Sequence, residues 1–141
     1  MTPEQQKDLD RLHRRINERG LASFMNDTKW KSAIMALQSI SGYQVKFRTR
    51  LVTDSNDPPN HWEGGFPWHV PIFEFIEWLE LDSIVRTKRG NLLADHEENF
   101  EPAIARALVQ ARIPFSLESG TVRIWGYVQP GSMPKFIEAA S

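Results

Sequence analysis

Four histidines and no cysteine bound the chemistry open to this chain. Without thiols there is no disulfide, no thiolate metal site and no cysteine nucleophile, so metal or acid–base work would fall to imidazoles and carboxylates. His61, Trp62, Glu63 and His69, preceded by Asp54 and Asp57, gather the ligand types that zinc and other divalent ions take. The two histidines stand eight apart, which is neither one helical turn nor a strand spacing that forces convergence. Solvated loop histidines explain them more simply, and no metal, cofactor or catalytic residue is assigned. His96, within Asp95-His96-Glu97-Glu98, would need a substrate proton in reach to act as a general base. Its acidic neighbours are explained by the positive end of a helix predicted to start there.

Two further clusters carry charge. Glu74, Glu77, Glu80 and Asp82 surround Trp78, and paired carboxylates beside an aromatic platform are the parts of a glycosidase. Acids at this density more commonly form a solvated face. Lys46, Arg48 and Arg50 alternate along a predicted strand, so they project to one side about 6.6 Å apart, a spacing that can track phosphates. Arg123, Trp125 and Tyr127 would add stacking surface to such a nucleic-acid site. The preferred reading is that the basic stripe pairs across strands with the acids of 74–82.

The tryptophans give the most direct pointer to function. Trp30, on a helix face, and Trp125, on a central strand, read as core. Trp62 and Trp68 flank Gly64-Gly65 in a loop and are harder to bury, and uncovered indoles are enriched where proteins dock. His61, Trp62, Phe66, Trp68 and His69 are therefore the candidate surface for another protein or for self-association.

These residues must be positioned by a fold of α+β type, a mostly antiparallel sheet packed against helices. Residues 1–25 read as an N-terminal helical extension and 26–141 as one domain. A helix over 3–19 carries a thin apolar stripe of Leu9, Leu12, His13 and Ile16 and stops at Gly20. Asn26-Asp27-Thr28 can cap a second helix over about 28–40, with Trp30, Ala33, Ile34 and Leu37 on its buried face. Period-two alternation over 43–51 predicts a strand, and the Pro- and Asn-rich stretch after it a long loop. A short edge strand over 66–70, a strand in the later part of 72–81, a basic turn over 86–91 and a short strand over 92–94 follow. A helix is expected to begin within 95–99 and run to about 112, then a hairpin of 115–117 with a central strand 122–128, then a terminal helix over about 133–140.

Composition is that of an ordinary folded domain: 141 residues, 40% hydrophobic and 25% charged. The net charge of −1 hides an asymmetry, since residues 1–50 hold 10 Lys/Arg against 5 Asp/Glu and residues 51–141 hold 7 against 13. A total so near neutrality gives no general pull toward polyanions and argues against nucleic acid. No stretch suits a membrane span, and the polar start lacks the apolar middle of a secretory signal, so a reducing cytoplasmic setting is expected.

Asn26-Asp27-Thr28-Lys29-Trp30, Ile76-Glu77-Trp78-Leu79, Ile113-Pro114-Phe115-Ser116 and Val122-Arg123-Ile124-Trp125-Gly126-Tyr127 resemble a family of small uncharacterised bacterial proteins defined only as a domain of unknown function. The resemblance covers about residues 26–128, leaving the first helix as an extension. It implies a bacterial, cytosolic α+β protein and supplies neither a reaction nor catalytic residues. The expected role is a non-catalytic protein-binding or regulatory module. The alternatives are a small-ligand or metal-binding enzyme built on His61, His69 and His96, and nucleic-acid binding through Lys46, Arg48 and Arg50.

Overall fold

The structure, a computed structural model, describes residues 2–54, 61–87, 89–91, 93–94 and 96–137. Helix α1 (Pro3–Arg19) opens with a capping box, in which Thr2 and Gln5 each accept from the other's backbone N–H, and closes on Gly20 at φ 63°. Helix α2 (Asp27–Gln38) starts where the Asn26 side chain accepts from Lys29 N–H at 2.8 Å. Both helices lie where periodicity and caps place them.

The centre is a five-stranded antiparallel sheet. Its strands are β2 (Phe47–Leu51), β3 (Ile76–Asp82), β6 (Phe115–Glu118), β7 (Thr121–Trp125) and β9 (Phe136–Ile137), in the order β2-β3-β7-β6-β9. Two short ribbons flank it: β1 (Ala22–Ser23) with β8 (Tyr127–Val128), and β4 (Ile84–Thr87) with β5 (His96–Asn99). Helix α3 (Glu101–Gln110) precedes the β6–β7 hairpin.

Alternation sorts the sheet into two faces. Phe47, Leu79, Leu81, Phe115, Val122 and Ile124 join Trp30, Ala33 and Leu37 of α2 and Ile104 and Leu108 of α3 in one apolar core. On the other face Arg48, Glu80, Arg123 and Ser116 stand opposite one another across four strands, with Arg50, Trp78 and Trp125 forming the next row. Helix α1 is tied to this region at two points: Arg11 donates to the Thr53 carbonyl and Arg19 to Glu77. Leu12 is fully buried, while His13 of the same expected stripe is exposed.

Several elements depart from expectation for local reasons. Residues 43–46 alternate correctly but lie outside the strand, because Tyr43 N–H still bonds back to Ile40 at the end of the helical region. Residues 66–70 form turns, with His69 N–H on the Gly65 carbonyl and Val70 N–H on the Pro67 carbonyl; Gly65 at φ 71° bends the chain there. The Phe66–Pro67 peptide is cis. Arg86 and Thr87 belong to β4 rather than to a turn, and Leu93 and Ala94 lie in no strand; Leu92 is outside the described residues. Residues 96–99 are extended, not helical, because they pair with β4, and α3 starts at Glu101 with Pro102 in its first turn. Asp95 lies outside the described residues. No helix forms over 133–137, because Pro134 leads into a strand that pairs Phe136 with Ser116 and Ile137 with Phe115 on the open edge of β6.

Candidate functional site

The polar sheet face is a closed network. Glu80 is 1% exposed, and each of its oxygens has its own guanidinium: Arg48 Nε donates to Oε1 at 2.7 Å and Arg123 Nε to Oε2 at 2.8 Å. Arg48 lies 4.3 Å from the centre of the Trp62 ring, and Arg123 lies 4.2 Å from Trp78 and 5.2 Å from Trp125, so indoles cover both cations. Trp125 Nε1 donates to Ser116 Oγ at 2.8 Å, and Ser116 Oγ donates to Glu118 at 2.9 Å. Beside it, Glu77 takes a two-pronged bond from Arg19 at 2.5 and 3.1 Å, with Arg50 Nε 4.0 Å away. That hydrogen bond, opposed by burial, raises the affinity of the Arg19 guanidinium for its proton. Among the described residues no buried side-chain nitrogen or oxygen lacks a partner.

This arrangement differs from expectation for the acidic run and for Trp125, and agrees with it for the basic stripe. Of the acids of 74–82, Glu77 and Glu80 are buried as counterions rather than solvated, Asp82 is half-buried and Glu74 is exposed, and Trp78 is covered rather than offered to a sugar. Arg48 and Arg50 meet Glu80 and Glu77 across the strands, as the preferred reading of the basic stripe has it, and Lys46 stands exposed just before the strand. Trp125 is half-buried on the polar face rather than in the core.

The loop residues divide. Glu63 pairs with Phe47 through backbone bonds of 3.0 and 2.7 Å, which holds Trp62 half-buried over Arg48. Phe66 packs edge-on against Phe47, ring centres 5.6 Å apart, so it belongs to the core margin. His61 is exposed, with Nε2 3.9 Å from Glu63 Oε1, and His69 lies against Gly65, where a Cβ would come within 2.6 Å of its ring nitrogen. Trp68 is 87% exposed. His96, on β5, is also exposed, and among the described residues no three His, Asp or Glu side chains are grouped so as to hold a metal.

Pro67 and Val70, on either side of Trp68 in the chain, line a groove. The segment 67–74 runs beside α2, anchored where Phe73 stacks on Trp30 at 5.9 Å between ring centres. Between them lies a depression of about 360 Å³ with Ile34, Pro67, Val70, Ile72 and Phe73 among its walls. Ile72, 72% exposed, and Glu74 are shared with a second depression of about 420 Å³ against Leu9 and Asp8 of α1. A third, of about 510 Å³, adjoins through Asp27, Phe73 and Glu74 and reaches Met25 and Tyr127. Met35, next to Ile34 in the chain, is 69% exposed. Tyr127 donates its hydroxyl to the Glu74 carbonyl at 2.8 Å; burial first, and then the Glu74 charge, hold that phenol above its ordinary pKa.

Sequence reasoning found Trp68, and placed Glu74 on a solvated face, but missed Ile72, Met35 and the carboxylate of Asp27 as surface features. Ile72 fell between the strand expected over 66–70 and the one expected in the later part of 72–81, and Asp27 was absorbed into a cap. Met35 falls outside the 3-4-7 spacing of the buried face, which was the available signal.

The chain belongs to DUF6678, a family of unknown function, whose model matches residues 12–131. The match therefore includes the second half of α1 as well as the strings at 26–30, 76–79, 113–116 and 122–127. Neither a curated protein nor a solved structure matches the chain. No helix among the described residues is long and apolar enough to cross a membrane.

Proposed function

With membership of a family that carries no assigned reaction as the starting point, we propose that this protein is a non-catalytic binding module that docks another protein on the apolar surface around Trp68 and Ile72. One observation carries the reading: an indole 87% exposed, four residues from an isoleucine 72% exposed, on a short backbone segment held by its own turns. An uncovered tryptophan costs solvation that a partner would recover, and its two side-chain torsions make it cheap to order on binding. By contrast, the cations of the polar face are engaged by Glu77 and Glu80, so a ligand there would have to break buried ion pairs. A regulatory or adaptor role suits such a surface. The cysteine-free composition supports a reducing, cytoplasmic setting.

The test is a photo-crosslinking residue placed at position 68, 72 or 14 in living cells, with Arg14 as an exposed control on α1. The docking reading expects a discrete adduct from positions 68 and 72 and none from 14. Equal labelling at all three, or none at 68 and 72, overturns it.

A further inference from the structure

The charge around the groove narrows the chemistry of what enters it. Asp27 and Glu74 line the depression that holds Ile34, Val70 and Phe73, and Asp8 and Glu74 line its neighbour across Ile72. Among the described residues no lysine or arginine lines these two depressions or the third at Tyr127. Glu77 and Glu80, on the polar sheet face, are matched by arginine, whereas Asp8, Asp27 and Glu74 form no ion pair among the described residues. Asp27 in the first turn of α2 is partly offset by the helix dipole; Glu74 lies outside the α-helices.

Resting on the docking role above, we infer that the groove between α2 and residues 67–74 takes a peptide segment of a partner protein that presents an apolar side chain beside a lysine or arginine. The apolar group sits against Ile34, Val70 and Phe73, and the cation lies over the carboxylates of Asp27 and Glu74. An acidic segment would meet like charge at the rim, which is where selectivity between partners arises.

The probes are three fluorescein-labelled octapeptides titrated against the purified full-length protein by anisotropy: alternating Lys-Leu, alternating Glu-Leu and alternating Lys-Ser. The Lys-Leu peptide is expected to bind at least ten-fold more tightly than either control. Glu74→Lys, and separately the milder Asp27→Asn with Glu74→Gln, should abolish that preference while circular dichroism stays unchanged. Glu98→Lys, a reversal on exposed β5, should leave it intact. If Glu98→Lys acts as strongly as Glu74→Lys, the preference is a whole-molecule charge effect and the inference falls. It falls also if the Lys-Leu and Glu-Leu peptides bind alike. Adducts at position 68 without any charge preference would keep the docking surface and remove only this identity for its occupant; absence of adducts removes both.

Discussion

Replacing Glu80 by glutamine isolates the electrostatics of the sheet's polar face, because the change keeps shape and removes one charge. Glu80 is 1% exposed, while the Arg48 and Arg123 side chains that it bridges retain 28% and 22%. Removing one member of a buried ion pair costs about 3–5 kcal/mol, since the remaining charge stays buried without compensation. Here two guanidiniums lose their shared counterion, but both keep some water and an indole face, so the lower end, about 3 kcal/mol, is expected. At a urea slope of about 2 kcal/mol per molar this moves the unfolding midpoint down by roughly 1.5 M. For a domain of this size it also lowers Tm by roughly 10 °C.

Urea titration followed by tryptophan fluorescence reads the effect, since Trp62, Trp78 and Trp125 all lie on or beside the network. The companion variant Arg48→Leu/Glu80→Leu/Arg123→Leu removes all three charges and should recover to within about 1 kcal/mol of the parent, because desolvation no longer opposes folding. A loss below about 1 kcal/mol for Glu80→Gln, or a triple variant as unstable as the single one, would refute the claim that uncompensated charge is the cause.

Two other outcomes follow from the same geometry. Gly126→Ala should cost upward of about 2 kcal/mol in the same titration, because a Cβ there would run into the Ile76 carbonyl oxygen and press on Trp30, and backbone cannot give way as a side chain can. Tyr43 and Tyr127, the chain's two tyrosines, are both held above the ordinary phenol pKa chiefly by burial, so in alkali the unfolded chain loses its phenolic protons first. The unfolded state then binds fewer protons than the folded one, so the contribution of these two phenols to stability is constant below about pH 10 and falls as pH rises beyond it. Near-ultraviolet absorbance should show tyrosinate appearing at higher pH in the folded protein than in the urea-unfolded chain, and ionisation of the folded protein near the free-tyrosine value would contradict this.

What was legible in the sequence was whatever rests on local spacing. The ends of α1 and α2 follow from Thr2, Gly20 and Asn26, whose roles act over three or four residues. The hairpin β6–β7 follows from Ser119-Gly120 between alternating strands, with Gly120 at φ 80°. The ribbon β4–β5 was misread for the opposite reason. His96-Glu97-Glu98-Asn99 has no strand propensity, and it is extended because Ile84–Thr87 pairs with it, a tertiary fact that local preference cannot express. Phe136 and Ile137 show the same override, since an open edge on β6 converts a helix-like tail into a strand.

The candidate site was harder to read because side-chain availability depends on register. Arg48 and Arg50 on one strand and Glu80 on another suggest pairing, but a phosphate track and a row of buried counterions have the same sequence pattern. Only the pairing of Arg48 with Glu80, and of Glu80 with Arg123, decides between them, and the irregularity after Arg50 shifts the register just beyond that point. The two loop tryptophans illustrate the consequence. Trp62 follows β2 because Glu63 bonds to Phe47, and the indole is thereby drawn over Arg48. Six residues later Trp68 sits in a turn closed by its own neighbours, with no strand to draw it inward. The charges of the sheet thus decide which indole is covered, and the one they do not reach stands in the chain between Pro67 and Val70, which line the acidic, apolar groove.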